Sequence, residues 1–285
     1  MSTQTATQAA PASRPTIVAI QPGMTGETGS PTGGSPALRT PPPPERYGLP
    51  AAYRQQAVAH THDALTSLQE TEYWNKDRIA ASGKYQHHVY AWGAELVRKR
   101  HLKSVLDVGC GPGTKLGKLI APVCSDIEGI DQPSGVAAAR KLGAPGKYSE
   151  VDLEQPQGVR PWRTFDLIIC ADVVEHLLDP DPAMMLLKGF CHEHTLLVLS
   201  TPDRARLHGR DCMASNKPEH VREWTHPEFT RFLISRGFDV ISSRMYPADD
   251  SAPSVGRWRE LAWRLHLAPT SPHRCQTVLC RIAQG

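Results

Sequence analysis

From Ser104 onward, short apolar runs alternate with stretches whose apolar residues recur every three or four positions. The runs are residues 104–108, 127–130, 148–151, 165–170, 195–199, 238–242 and 277–282, and each has the length of a strand. Helical patterns lie between the earlier ones, at 115–120, 134–142, 182–190 and 227–236. Regular alternation of this kind predicts an α/β domain, with a mainly parallel seven-stranded sheet and helices on both faces. No compact crossover helix separates the last two runs, so the final strand is expected to be antiparallel. Upstream, residues 51–100 read as helices flanking the domain, with Ile79, Val89, Trp92, Leu96 and Val97 on the apolar positions. Tyr73 and Trp74 stand at their centre, placed either to cover a ligand or to pack on the core.

Two segments break the pattern. Residues 1–50 are Thr, Ser, Gly, Ala and Pro with almost no large apolar residues, which predicts a disordered tail whose proline run, Pro41 to Pro44, is a stiff spacer. Residues 101–285 form the expected domain, with an insertion near 246–274. There Val255, Trp258, Leu261, Ala262 and Leu265 recur at helical spacing, as in an amphipathic lid helix, a closing core edge or a dimer contact.

Composition narrows this picture. The 285 residues carry a formal net charge of +3 without a basic block, which neither demands nor excludes nucleic acid. No apolar run approaches the roughly 20 residues of a membrane span. The first residues lack a charged-then-apolar leader pattern, so the expectation is a soluble, cytoplasmic protein. The seven cysteines are scattered, and Cys170 and Cys280 lie inside strand-like runs, so reduced thiols are expected, with no disulfide framework and no zinc cluster.

The densest chemistry is Val105-Leu106-Asp107-Val108-Gly109-Cys110-Gly111-Pro112-Gly113-Thr114, a strand running into a glycine turn and then a helix. Glycines let the backbone approach a ligand closely, and the carboxyl end of a strand is where open α/β sheets bind. A nicotinamide-binding Gly-x-Gly-x-x-Gly fits neither frame, because Thr114 follows Gly109-x-Gly111 and Leu116 follows Gly111-x-Gly113. Downstream, Ile130-Asp131 ends the second strand in an acid, and Val151-Asp152-Leu153 ends the third. The fourth gives Phe165-Asp166-Leu167-Ile168-Ile169-Cys170-Ala171-Asp172 and then Val173-Val174-Glu175-His176.

In order and separation these four motifs resemble the class I S-adenosylmethionine-dependent methyltransferases, from about Tyr73 to the C-terminus. The resemblance implies the Rossmann-like fold of that class and S-adenosylmethionine as cofactor. Carried over by position, it implies cofactor contacts at Asp107, Gly109, Cys110, Gly111, Gly113, Gln132, Leu153, Ala171 and Asp172. Asp131 would bind the ribose hydroxyls and Asp152 the adenine amino group.

A finer resemblance lies in Asp172-x-x-Glu175-His176 and Glu219-His220-Val221-Arg222-Glu223-Trp224-Thr225. Both segments are similar to those of the small-RNA 2′-O-methyltransferases, and the first also resembles the ubiquinone-pathway O-methyltransferases. That likeness implies a divalent metal such as Mg2+ or Mn2+ on Asp172, Glu175, His176 and His220, with aspartate standing where a glutamate is usual. The alternative is a plain base, His176 or His220, with no metal. Either way His176, Glu175 and His220 are the expected catalytic residues.

The implied reaction is O-methylation of a hydroxyl on a small molecule or saccharide. Its alternatives are an RNA 2′-hydroxyl and a non-catalytic S-adenosylmethionine-binding protein. A second expectation concerns substrate contacts: the basic segment 203–217, with Arg204, Arg206, His208, Arg210 and Lys217, follows the fifth strand at the site's edge. The oligomeric state stays open.

Overall fold

The computed structural model describes residues 74–284, apart from 214, 216 and 218. The expected tail with its proline run, the helices expected before residue 74 and Tyr73 lie outside the described residues. Two helices open the described chain, α1 (Lys76–Ser82) and α2 (His87–Arg100). Asn75 caps α1 by accepting from the Arg78 amide, and α2 ends in Arg98, Lys99 and Arg100, cations that suit a helix C-terminus.

The seven strands are β1 (Ser104–Val108), β2 (Asp126–Asp131), β3 (Lys147–Glu150), β4 (Phe165–Ala171), β5 (Cys191–Pro202), β6 (Phe238–Tyr246) and β7 (Cys275–Ile282). They form one sheet in the order β3-β2-β1-β4-β5-β7-β6. Neighbours from β3 through β5 are parallel, and β7 runs antiparallel to both β5 and β6, as the sequence predicts. Along β1 and β4 the side chains alternate between two cores. Leu106, Val108, Ile168 and Cys170 join one, and Val105, Leu167 and Ile169 the other.

The first core is closed by α4 (Asp181–Gly189) and α6 (His226–Ser235). The second is closed by α2, α3 (Pro133–Lys141) and the segment after the glycine turn. That segment, read as helix over 115–120, is a π-helical turn, Leu116–Ile120. Two short helices complete the described chain: α5 (Arg204–His208) directly after β5, and α7 (Arg257–Arg264) in the insertion.

Two strands outrun their apolar runs. β5 begins at Cys191 and carries the polar His192, Glu193 and His194 past an irregularity opposite Phe165 and Leu167. β6 continues to Tyr246 through exposed Ser242, Ser243 and Arg244, which an edge strand tolerates because its outer side meets water. Strand order reverses direction between β1 and β4, so the loops after these two strands flank the crevice where such sheets bind ligands.

Candidate active site

The turn after β1 is pinned from both ends. Amides of Gly109 and Cys110 donate to the Ile130 carbonyl at 2.9 and 3.2 Å, and the Gly111 amide donates to Asp131 Oδ2 at 2.7 Å. Asp131 Oδ1 accepts from the Gln132 amide at 2.8 Å. Each carboxylate oxygen can accept twice, so Asp131 keeps capacity for two more donors. Burial pushes its carboxyl up to about 6.

Side chains are excluded from this turn. Gly109 has φ +73°, and a Cβ there would run into Val173 of the loop after β4. At Gly113, φ +68°, a Cβ would run into the Tyr148 hydroxyl. Over the middle of the turn lies Trp74, whose Cη2 would stand 2.9 Å from a Cβ on Gly111. Trp74 therefore packs on the glycine turn. Beneath the turn Asp107 is fully buried, and both its oxygens accept from the Tyr90 hydroxyl of α2 at 2.9 and 3.0 Å. Burial pushes Asp107 up to about 7, against the pull of nearby Lys115.

The remaining expected contacts scatter around this cradle. Cys110 is buried, Gln132 is exposed one residue beyond Asp131, and Ala171 ends β4. β3 stops at Glu150, so Asp152 lies in the turn beyond it, exposed, with Oδ1 accepting from the Glu154 amide at 2.9 Å. Leu153 packs at the margin of the first core. An exposed carboxylate, a shaped backbone cradle and a half-buried acid at the end of β2 together fit an adenosine carrying a sulfonium side chain.

Across the crevice, β4 ends in a single 3-10 turn, Val174–His176. Glu175, His176 and His220 each bring one ligand atom within 4.8 Å of the other two. They come from segments far apart in sequence, joined by the Arg222 amide donating to the Glu175 carbonyl at 3.2 Å. His176 Nδ1 faces the Glu219 carbonyl at 2.9 Å; a carbonyl only accepts, so Nδ1 carries the proton and Nε2 the lone pair. Burial and the neighbouring His220 lower His176 to about 4.

Glu223, fully buried, holds His220 in the same way, its Oε1 2.6 Å from His220 Nδ1. The same carboxylate takes Ser215 Oγ at 2.8 Å, and its Oε2 lies 2.8 Å from His208 Nε2. Burial opposes ionisation of Glu223, but the bonds from His220 and Ser215 keep its carboxyl below the usual range. Glu175 is the opposite case. It has no exposed surface, Thr201 Oγ1 donates to Oε2 at 3.0 Å, and Oε1 has no hydrogen-bond partner among the described residues. Burial and the charge of Asp172 push it well above the ordinary glutamate value.

Asp172 requires a correction. It was expected to complete a four-residue metal set, yet it stands outside the cluster. Its backbone is left-handed, φ 53°, and its oxygens accept from Ser200 Oγ at 2.7 Å and Gln86 Nε2 at 2.9 Å, which directs the carboxylate elsewhere. A second correction concerns the basic segment. Arg204 and Arg206 are buried, not aimed at a substrate: Arg204 donates to the Glu223 carbonyl and both oxygens of Glu228, and Arg206 to Glu260, Ser271 and the His273 carbonyl.

Sequence reasoning missed Gln86, Tyr90, Ser200, Thr201 and Glu223. Only Glu223 left a signal, standing three residues after His220 in the quoted segment.

The methyltransferase-domain family is matched over residues 81–243, more than half of the chain. A ubiquinone biosynthesis O-methyltransferase of Bradyrhizobium diazoefficiens is 26% identical over 142 residues, 46% of this chain and 56% of the relative. A probable S-adenosylmethionine-dependent methyltransferase of Mycolicibacterium smegmatis is 28% identical over 142 residues, 48% and 52% respectively. The chain thus spans about half the length of the curated relatives it matches.

Among solved structures, the fold is similar to Burkholderia thailandensis 1,6-didemethyltoxoflavin-N1-methyltransferase, with TM-score 0.52 and 14% identity, covering 85% of this chain and 94% of that one. It is similar also to the methyltransferase domain of bacterial CtHen1, with TM-score 0.51 and 17% identity, covering 70% and 98%. With the family match running from the end of α1 to β6 and the fold similar to that of solved methyltransferases, the chain belongs to the methyltransferase-domain family, within the class I S-adenosylmethionine-dependent methyltransferases.

Proposed function

We propose that this chain transfers the methyl group of S-adenosylmethionine to a hydroxyl oxygen of a small-molecule or saccharide acceptor. The observation that carries the reading is the pair of imidazole lone pairs beside a buried carboxyl, held across the crevice from the glycine turn. O-methylation is also what the names of the ubiquinone-pathway relatives describe.

Methyl transfer from a sulfonium is an in-line displacement, so most of the rate comes from holding the reactants aligned and dry. The cradle of Gly109, Gly111 and Gly113 would fix the cofactor, with Asp131 accepting from its two ribose hydroxyls. Trp74 would cover it. A hydroxyl becomes a competent nucleophile as it loses its proton, and His220 Nε2 is the acceptor for that proton. Glu223 fixes the tautomer, because a carboxylate on Nδ1–H leaves the lone pair on Nε2. His176, held at about 4, is neutral at pH 7 and lies beside His220, ring centroids 4.8 Å apart.

A second reading rests on Glu175 Oε1, a buried oxygen with no partner among the described residues. One carboxyl group and two imidazoles form a donor set that fits a divalent cation, with Glu175, His176 and His220 as its holders. Such an ion would lower the pKa of an acceptor hydroxyl.

The test uses methyl-labelled S-adenosylmethionine against panels of catechols, sugars with adjacent hydroxyls, and RNA, with and without a chelator. Label in a catechol or sugar, surviving chelation, supports the base reading. Label that disappears with the chelator supports the metal reading. Label in RNA alone, or none in any panel, overturns the proposal.

A further inference from the structure

The helix of the insertion is built inside out. In α7 the buried residue is Glu260, while Trp258 is 84% exposed and Leu261 and Leu265 point to water. Val255 before it and Leu267 after it, the latter 77% exposed, extend the same ridge. Expectations of a closing core edge therefore fail here: the apolar stripe faces outward.

A polar anchor on the underside explains the inversion. Arg206 Nη1 donates to Glu260 Oε1 and Oε2 at 3.1 and 3.0 Å, Arg264 Nε reaches Oε1 at 2.8 Å, and Ser271 bonds Oε2. Burial works against the charge, yet these bonds hold the Glu260 carboxyl at about 2. The Arg206 and Arg210 guanidinium groups lie 4.1 and 4.3 Å from the centre of the Trp263 ring. Cation on aromatic and buried ion pair thus fix the helix without using its leucines.

Five large apolar side chains within thirteen residues are too concentrated for an ordinary surface. Exposed cations stand among them in sequence. Residues 246–274 contain Arg257, Arg259, Arg264 and Arg274, all exposed, against Asp249 and Asp250 at the root of the insertion and the buried Glu260, which takes Arg264. Among the described residues no carboxylate lies within ion-pair distance of Arg257 or Arg259.

From this we infer that the ridge is a docking surface for an anionic lipid bilayer, with Trp258, Leu261, Leu265 and Leu267 entering the headgroup boundary and Arg257 and Arg259 meeting lipid phosphates. A run of exposed apolar side chains that includes a tryptophan, with exposed arginines between them, is the pattern of an interfacial helix, where charge and apolar burial add. It lies on the surface without crossing it: no described helix is long and apolar enough to span a membrane. The root of the insertion is tied to the site, since the Gln86 amide donates to the Ala248 carbonyl at 3.0 Å and the His88 ring bonds the Ser251 carbonyl at 2.7 Å. A bilayer bound by the ridge therefore sits next to the mouth of the crevice.

The test is flotation of the full chain with vesicles of phosphatidylcholine alone and of phosphatidylcholine mixed with phosphatidylglycerol, including brominated acyl chains to quench buried indoles. Wild type floats with the mixed vesicles, about tenfold or more weaker with neutral ones, and loses binding as salt is raised. Arg257→Glu with Arg259→Glu weakens flotation about tenfold or more, and Trp258→Phe removes part of the bromine quenching. Trp258→Ser with Leu265→Ser abolishes flotation while S-adenosylhomocysteine binding, the check on folding, is unchanged. Wild type left unbound by anionic vesicles overturns the inference. So does flotation undiminished in the variants, or a wild-type dimer in sedimentation that dissociates in the Trp258→Ser, Leu265→Ser variant.

Discussion

The two walls of the crevice are assembled in different ways. The wall proposed for the cofactor comes from ten consecutive residues, Val105 to Thr114, and one acid a strand later, Asp131, with the Gly109, Cys110, Gly111 and Gly113 amides bonding the turn in place. The wall proposed for the acceptor gathers Glu175 and His176 from the turn after β4, Thr201 from β5, His208 from α5, and Ser215, His220 and Glu223 from the loop that follows, and joins them largely through side chains. A backbone-made site persists when a side chain changes, whereas a side-chain relay fails one link at a time. On the proposed function the same split separates binding from chemistry.

The largest expected effect breaks only the acceptor wall. His176→Ala with His220→Ala should lower methyl transfer by about 10²–10⁴-fold and leave S-adenosylhomocysteine affinity unchanged, as read by single-turnover labelling beside calorimetry. A smaller loss, about 10–100-fold, is expected for Glu223→Gln, which keeps the shape but removes the charge that fixes the His220 tautomer. It should appear in kcat with KM unchanged; an equal fall in cofactor affinity would make Glu223 a general scaffold.

On the cofactor wall, pH is the sharper tool. Asp131, at about 6, must be ionised to accept from both ribose hydroxyls. Protonation removes that charge, so affinity should fall as pH drops below about 6, by at most about tenfold per pH unit, and stay flat above. In Asp131→Asn the profile should be flat throughout, and a wild-type profile flat from pH 7 to 5 would deny Asp131 this role. The smallest effect is steric. Gly113→Ala adds a Cβ at φ +68° against Tyr148, which should cost about 1–2 kcal/mol and lower Tm by about 2–8 °C.

How far the sequence could be read follows the same division. All seven strands and the sheet's antiparallel end were legible, because buried strands leave continuous apolar runs and each glycine turn is local. The ends of β5 and β6 were not, since pairing with β4 and with β7 carried on past polar residues. On the acceptor wall, Glu175, His176 and His220 were named and do come together. Asp172 was misassigned because its partners, Gln86 and Ser200, lie 86 and 28 residues away and leave no pattern near it. Arg204 and Arg206 looked like a basic substrate loop for the same reason: Glu228 and Glu260, the acids that bury them, arrive 24 and 54 residues later. The amphipathic stripe of the insertion was visible as a period, but its direction was not, because Glu260 and its cationic nest turned the helix over.

The central claim is that cofactor binding belongs to one wall and acceptor chemistry to the other, and calorimetric titration of S-adenosylhomocysteine tests it most directly. Wild type and the His176→Ala, His220→Ala variant should bind equally, NAD should give no heat with either, and Asp131→Ala should bind about 10²-fold or more weaker, since hydrogen bonds to a charged group contribute about 1.5–3 kcal/mol each. Unchanged affinity in Asp131→Ala, or an equal loss in the histidine variant, would contradict the account.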